Sequence, residues 1–203
     1  MIIKICGLND DANLLDISKL NPDMVGYNFY PNSSRYVTHP LPKINATINK
    51  VGVFVNENPE VIESKAKQYG LDYIQLHGDE SAFITEKIKQ KHKVIKVFRF
   101  NDDFDSKAMD DFLFCDFFLF DTFTNKYGGS GVKFEWNRLD DFEIKRPFLL
   151  SGGIGPDDIK SIQMIENDMF YGVDINSKFE TSPGVKDVEM VSNFVHKLRL
   201  KSQ

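Results

Sequence analysis

Eight short segments rich in β-branched and aromatic residues recur along the chain. They span residues 2–6, 24–29, 50–55, 72–77, 93–98, 116–121, 147–150 and 169–175. Such residues favour β-strands, and helix-compatible stretches separate most of the segments. Strands that alternate with helices assemble into a parallel sheet. The pattern therefore predicts either a closed barrel or an open, doubly wound sheet.

Helix signals mark four of the intervening stretches, namely residues 59–70, 81–91, 156–167 and 188–198. The first stretch ends in Gly70, which suits a left-handed helix cap. The third opens with Pro156 and two acidic residues, a common way for helices to begin. Residues 41–50 contain Pro42 and predict at most a short helix.

Polar residues alternate with apolar ones in four of the predicted strands. The polar positions are Lys4, Cys6, Gln75, His77, Lys96 and Asp174. Because side chains alternate between the two faces of a strand, we expect these residues on one shared face. A barrel interior that opens into a site can hold such a face, whereas an open sheet covered on both sides needs continuously apolar strands. We therefore predict an α/β protein, a single-domain (β/α)8 TIM barrel over residues 1–203, close to the lower size limit of about 200 residues for that fold.

Composition narrows the choice of partners. The net charge is −5, which argues against non-specific nucleic-acid binding, since that needs a basic surface. An anionic small molecule can still bind if backbone N–H groups and a few basic side chains hold it. The two cysteines, Cys6 and Cys115, make neither a disulfide framework nor a zinc motif. We interpret Cys115 as structural.

The hydrophobic segments of the chain are short. No apolar run reaches the roughly 18 residues of a membrane span, and the N-terminus lacks the apolar stretch of a signal peptide. We expect a cytoplasmic protein in a reducing compartment. We expect a small-molecule substrate, no nucleic-acid or membrane partner, and a monomer or a homodimer.

Two ionisable residues stand where a barrel carries its catalytic groups, at the carboxyl ends of strands. Cys6 ends the first predicted strand, and Asp121 ends the sixth, after the phenylalanine-rich run 117–120. Cys6 is either a general base that works as a thiolate or a small buried hydrophobe. Asp121 is either a general acid at the mouth of an apolar pocket or a solvated or helix-capping residue.

Other strand ends offer binding groups. Residues 151–155, SGGIG, form either a phosphate-binding glycine turn or a plain tight turn, and their place after the seventh strand favours phosphate. Arg35 can clamp a carboxylate or be an exposed loop residue. His77 can bind substrate, orient a neighbour or be structural. Residues 126–136 can form a lid or a long connection.

Seven motifs occur in a fixed order. They are KICG (4–7), NSSRYV (32–37), VGVFVN (51–56), IQLHGDE (74–80), FDT followed by YGGSG (120–131), SGGI (151–154) and VDINSKFE (173–180). Together they resemble the strand-end motifs of the phosphoribosylanthranilate isomerase family of tryptophan biosynthesis, over essentially the whole chain. The chain departs from the family pattern at Ser130, where threonine is commoner, and at Lys178, near which the family often has a glycine.

The resemblance implies a (β/α)8 barrel without metal or cofactor and an Amadori rearrangement of N-(5'-phosphoribosyl)anthranilate. It implies that Cys6 is the general base, Asp121 the general acid, and Arg35 the residue that holds the anthranilate carboxylate. The residues that it places around the phosphate are Gly152, Gly153, Asp174, Asn176 and Ser177. Ordinary pKa values of about 3.9 for Asp and 8.5 for Cys do not suit these roles, so we expect the site to raise the first and lower the second.

Two alternatives compete with this function. The first is another phosphate-binding barrel isomerase, above all the analogous Amadori isomerase of histidine biosynthesis, which is expected to use two carboxylates. The KICG motif places Cys6 where that chemistry needs an aspartate. The second is a non-catalytic phosphosugar-binding barrel, which would bind its ligand without turnover and would not respond to Cys6→Ala or Asp121→Asn.

Overall fold

The computed structural model describes residues 1–101, 103–122 and 135–200. Eight parallel strands close a barrel in chain order, and the first strand pairs with the eighth. The strands are β1 (Ile2–Cys6), β2 (Met24–Asn28), β3 (Asn49–Phe54), β4 (Tyr73–Leu76), β5 (Lys93–Phe100), β6 (Phe117–Thr122), β7 (Phe148–Leu150) and β8 (Phe170–Ile175). The predicted barrel is confirmed, and the open sheet is excluded.

Helices of unequal length surround the barrel. The α-helices are α1 (Asp11–Ser18), α2 (Pro59–Tyr69), α3 (Ala82–Lys89), α4 (Ile159–Gln163) and α5 (Val188–Leu200). Two 3-10 helices, Ser106–Phe112 and Trp136–Asp141, lie after β5 and β6. None of the helices in the described parts of the chain is long and apolar enough to cross a membrane.

Local sequence signals explain where several helices begin and end. The Asn58 side chain accepts a hydrogen bond from the Glu60 N–H at the start of α2, and Gly70 ends that helix with φ 60°, as predicted. The helix α4 is shorter than the predicted 156–167, since residues 156–158 form a turn. Residues 41–48 contain no helix, because proline removes a backbone donor there.

Apolar side chains form two layers, one outside the barrel and one inside. The outer layer, between strands and helices, includes Ile3, Ile5, Ile74, Leu76, Val173 and Ile175. The inner layer consists of Met24, Val51, Ile95, Val97, Leu119 and Leu149. Lys4, Gln75 and Asp174 are buried polar residues on the strand faces opposite the outer layer. The predicted alternation therefore holds for β1, β4 and β8.

Strand β5 has the opposite phase to the one predicted. Ile95 and Val97 belong to the inner layer, so Lys96 points toward the helices. Lys96 Nζ donates to Glu80 Oε2 at 2.9 Å and lies 5.4 Å from the Phe112 ring centroid. The expectation that Lys96 shares the polar interior face was wrong. A buried carboxylate outside the barrel gives the lysine a partner there.

The segment after β8 folds over the mouth of the barrel. A 3-10 helix, Ser177–Phe179, leads into two short antiparallel strands, β9 (Glu180–Ser182) and β10 (Val185–Lys186). We call residues 180–186 the C-terminal hairpin. The Asn9 N–H donates to the Gly184 carbonyl at 3.4 Å, so this hairpin contacts the loop that follows β1.

Candidate active site

The Cys6 thiol is buried at the carboxyl end of β1. Strand pairing places Gly26 of β2 directly beside it. A Cβ atom on Gly26 would lie 2.6 Å from Cys6 Sγ, which is far inside van der Waals contact. The glycine therefore provides the space that the thiol occupies.

A buried ion pair lies next to the thiol. Lys4 Nζ donates to Asp174 Oδ2 at 2.8 Å, and the two side chains are 0 % and 5 % exposed. The register of β1 and β8 sets these residues side by side. Burial acts to lower the pKa of Lys4, but the nearby Asp174 and Cys6 outweigh it, so the pKa is raised and the ammonium stays charged.

The pKa of the Cys6 thiol is raised, which corrects the expectation that the site lowers it. Burial is the largest cause, and the Asp174 carboxylate adds to it, while the ammonium groups of Lys4 and Lys186 oppose it. A thiolate loses more solvation than a thiol when water is excluded. The protein without substrate therefore holds Cys6 as a thiol at neutral pH.

Asp121, the residue before the last in β6, is part of a hydrogen-bonded chain. Gln75 Nε2 donates to His77 Nδ1 at 3.1 Å, so the proton on His77 Nε2 is donated to Asp121 Oδ2 at 3.0 Å. The Thr122 N–H donates to Asp121 Oδ1 at 2.9 Å. Both carboxylate oxygens accept hydrogen bonds, an arrangement that suits the ionised form. His77 thus orients Asp121, a role that the sequence left open.

The surroundings of Asp121 differ from those predicted. Phe118 and Phe120 lie in the outer layer, so they do not form an apolar pocket around the carboxyl group. Strand alternation sends residues 118 and 120 to one face and residue 121 to the other. Asp121 shares its strand face with Leu119 of the inner layer, and Cys6 shares its face with Lys4, so both side chains point into the barrel near the carboxyl ends of their strands. The structure therefore brings the thiol and the carboxyl group to one interior region.

Arg35 takes part in a charged cluster rather than lying exposed. Its Nε and Nη2 donate to Glu180 Oε1 and Oε2 at 2.8 and 2.5 Å. Lys186 Nζ donates to Glu180 Oε1 at 2.6 Å and to Asn176 Oδ1 at 2.7 Å. A Cβ atom on Gly7 would lie 2.6 Å from Arg35 Cδ. The Arg35 side chain therefore passes over the residue next to Cys6.

Sequence reasoning missed the roles of Glu180 and Lys186. Glu180 is the last residue of the 173–180 motif, so the motif itself carried a usable signal. Lys186 carried no such signal. Its placement depends on the fold of the C-terminal hairpin.

The glycine turn after β7 presents free backbone donors. Gly152 and Gly153 have φ values of 86° and 70°, which favour glycine. No described residue accepts a hydrogen bond from the N–H groups of Gly152, Gly153 or Ser177. The Gly155 N–H, by contrast, donates to Asp158 Oδ2 at 2.6 Å. These three N–H groups therefore have no acceptor in the described part of the chain and are available to a ligand.

The remaining candidates are Cys115, Lys178 and the predicted lid. Burial raises the pKa of Cys115 to about 12, which fits a structural residue. Lys178 is exposed. Of residues 126–136, only 135 and 136 are described, so the predicted lid lies outside the described part of the chain. Within that part, no three His, Cys, Asp or Glu side chains are grouped as metal ligands.

Fold and site together define a class: a (β/α)8 barrel that carries a buried thiol, a carboxyl group and a glycine turn at the carboxyl ends of its strands. Residues 3–197 match the family model described as N-(5'phosphoribosyl)anthranilate (PRA) isomerase. The chain belongs to the phosphoribosylanthranilate isomerase family.

Individual relatives agree with this assignment. N-(5'-phosphoribosyl)anthranilate isomerase of Phocaeicola vulgatus is 40% identical, and the match covers 100% of both chains. The crystal structure of the Thermotoga maritima enzyme is 32% identical, with a TM-score of 0.83 and coverage of 98% of this chain and 99% of that one. A phosphoribosylanthranilate isomerase in complex with reduced 1-(o-carboxyphenylamino)-1-deoxyribulose 5-phosphate is 29% identical, with a TM-score of 0.78 and the same coverage.

Proposed function

We propose that this chain converts N-(5'-phosphoribosyl)anthranilate to 1-(2-carboxyphenylamino)-1-deoxyribulose 5-phosphate, with Asp121 as general acid and Cys6 as general base. One observation carries the proposal: the thiol of β1 and the carboxyl group of β6 both face the barrel interior near the carboxyl ends of their strands, although three strand steps separate them around the barrel. Family membership and the ligand bound to a relative support the choice of substrate.

The acid opens the sugar ring. The carboxylic acid form of Asp121 gives its proton to the ribose ring oxygen, and the bond from that oxygen to C1' breaks. The lone pair on the anthranilate nitrogen then forms a C1'=N iminium. His77 and Thr122 hold the two carboxyl oxygens, so the acid is fixed in one orientation before the reaction.

The base completes the rearrangement. The Cys6 thiolate takes the proton from C2', and the released electron pair forms a C1'=C2' double bond that neutralises the iminium. This enolamine gains a proton at C1' and loses one from the C2' hydroxyl, which gives the ketone. The catalyst is reset when the proton on Cys6 is returned to the Asp121 carboxylate.

The raised thiol pKa is compatible with this role. The resting pair is a thiol and a carboxylate, while the reactive pair is a thiolate and a carboxylic acid. Both pairs hold one proton, so the reactive form is a tautomer of the resting one. The iminium that forms beside Cys6 also favours the thiolate, because an opposite charge nearby stabilises an anion.

The other residues bind the substrate. We assign the phosphate to the free N–H groups of Gly152 and Gly153, in the turn after β7, and of Ser177, in the loop that contains Asn176. The free side of the Arg35 guanidinium is assigned to the anthranilate carboxylate. Asp174 Oδ1 is buried and has no partner among the described residues. We place this oxygen at a ribose hydroxyl, since a carboxylate would repel the phosphate.

Loss of substrate fluorescence tests the two catalytic roles. Cys6→Ala and Asp121→Asn are each expected to lower kcat by at least about a hundredfold, while binding of the reduced product analogue is largely kept. Cys115→Ala is the matched control, because that thiol lies outside the site. Unchanged turnover in both variants would contradict the assignment.

The same assay separates the alternatives. Analogue binding without turnover by the unmodified protein would favour the non-catalytic barrel, and turnover of the histidine-pathway aminoaldose would favour the other isomerase. A monomer or homodimer remains our prediction for the oligomeric state.

A further inference from the structure

We propose that Glu180 is a positioning residue for substrate recognition, because its carboxylate holds the Arg35 guanidinium in the orientation that binds the aromatic carboxylate. The inference rests on the proposed function, which assigns that carboxylate to Arg35.

The contact between the two residues is bidentate. Arg35 Nε and Nη2 donate to the two oxygens of Glu180 at 2.8 and 2.5 Å, and the side chains are 15 % and 5 % exposed. A guanidinium has five N–H donors in a rigid, planar fork. Glu180 engages one edge of the fork, so the donors on the other edge are free to face a ligand. Among the described residues, nothing else accepts a side-chain hydrogen bond from Arg35.

Glu180 is itself fixed on its other side. Lys186 Nζ and the Gly184 N–H both donate to Glu180 Oε1, at 2.6 and 3.2 Å. Lys186 is anchored in turn, since its backbone N–H and carbonyl are each 2.8 Å from the Asn13 amide. Burial acts to raise the pKa of Glu180, but Arg35 and Lys186 outweigh it and lower the pKa. The Glu180 carboxylate is therefore ionised and accepts hydrogen bonds from four donors.

The charges of this cluster fit an anionic ligand. Arg35 and Lys186 contribute two positive charges and Glu180 one negative charge, so one positive charge remains. Lys186 also holds Asn176 Oδ1 at 2.7 Å, which joins the arginine to the loop assigned to the phosphate. A long arginine side chain without such an anchor would have to be ordered by the ligand, at a cost in affinity.

Two ligands that differ only in the aromatic carboxylate test the inference. One is reduced 1-(o-carboxyphenylamino)-1-deoxyribulose 5-phosphate, and the other is its phenylamino counterpart. Calorimetry gives the ratio of their Kd values for the unmodified protein, Glu180→Gln and Arg35→Met. The control is Glu63→Gln, which removes an exposed pair between Glu63 and Lys91 and is expected to leave the ratio unchanged.

We expect Glu180→Gln to reduce the preference for the carboxylated ligand about tenfold, with little change in binding of the phenylamino ligand. An equal loss for both ligands, an unchanged preference or a greater preference would overturn the inference. If Arg35→Met reduces the preference and Glu180→Gln does not, this inference fails alone. If Arg35→Met leaves the preference unchanged, the carboxylate assignment fails and the inference fails with it.

A second variant covers the case in which Glu180→Gln does not fold, since Arg35 and Lys186 would lose their buried counter-ion. Glu180→Asp keeps the charge and shortens the side chain by one carbon, so the bidentate contact cannot form in place. A reduced preference supports the positioning role, and an unchanged preference overturns it.

Discussion

In the proposed mechanism, Cys6 and Asp121 act as a pair that exchanges one proton. Burial raises the pKa of the thiol, and Lys4 and Lys186 only partly offset this effect. The hydrogen bonds from His77 and Thr122 suit the Asp121 carboxylate. If the proposed roles hold, protonation of the pair as a whole, rather than that of either residue, decides how much reactive enzyme is present.

This sharing predicts the dependence of kcat/KM on pH. From pH 7 upward the substrate phosphate is already dianionic, because its second pKa is about 6. The thiol–carboxylate pair and its reactive tautomer hold the same number of protons, so kcat/KM should not change with pH while the pair keeps its proton. Because the thiol pKa is raised, that proton is lost only above the ordinary cysteine value of about 8.5.

We therefore expect a flat profile from pH 7 to about 8.5, followed by a tenfold fall per pH unit at high pH. Initial rates at substrate concentrations well below KM provide the measurement. Stability at each pH is checked by circular dichroism. An alkaline limb whose midpoint lies below pH 8 would contradict the raised thiol pKa.

The strands could be predicted from sequence because each is a short apolar run with its own boundaries. All eight predicted segments occur as strands, and β1 has the predicted limits 2–6. Helix α2 was also predicted, because Gly70 at its end is a local signal, and the structure adds two further local signals at its start, the capping Asn58 and Pro59. Such features depend on neighbours in sequence, so they can be predicted without knowledge of the fold.

Features that depend on distant neighbours could not be read in the same way. In β5, apolar residues occur on both faces, so the sequence does not show which face points inward. The position of Lys96 is decided by Glu80, which follows another strand. The Arg35–Glu180 contact joins residues 145 positions apart. Its geometry requires a barrel that is already closed.

The turn after β7 gives a test in which two glycines can be compared. Gly152 has φ 86°, and a Cβ atom there would lie 2.5 Å from the Thr122 backbone nitrogen and 3.0 Å from Asp121 Oδ1. Gly152→Ala should therefore displace the turn and raise KM. We expect the free energy of unfolding to fall by about 1–3 kcal/mol from backbone strain, measured by urea denaturation.

Gly155→Ala is the matched control in the same turn. Its φ lies outside the left-handed region, and the nearest atom to an added Cβ is Asp158 Oδ2 at 3.5 Å. We expect the stability to change by less than about 1 kcal/mol and KM to stay near that of the unmodified protein. Equal effects of the two substitutions would show that strain at Gly152 is not what shapes the turn.

Apolar packing residues and ionisable residues occupy different parts of the barrel interior along its axis. The six apolar residues of the inner layer fill one part of the interior. The ionisable groups Cys6, Asp121 and Asp174 lie at or near the carboxyl ends of their strands. This arrangement separates packing from chemistry, as in other (β/α)8 barrels, where the catalytic mouth and the stabilising end are opposite. The two ends should then respond differently to substitution.

Ile95 tests this division because it is fully buried in the inner layer and lies four residues before Arg99, the β5 residue in register with Asp121. Ile95→Ala should lower the free energy of unfolding by about 2–5 kcal/mol through the cavity it leaves, and Ile95→Val by about 0.5–1.5 kcal/mol. Urea denaturation measures both. Well below the unfolding temperature, kcat and KM should stay near those of the unmodified protein, because Ile95 lies away from the groups proposed to contact substrate. A large fall in kcat in fully folded Ile95→Ala would show that the inner layer positions the catalytic pair, and the separation of packing from chemistry would then be wrong.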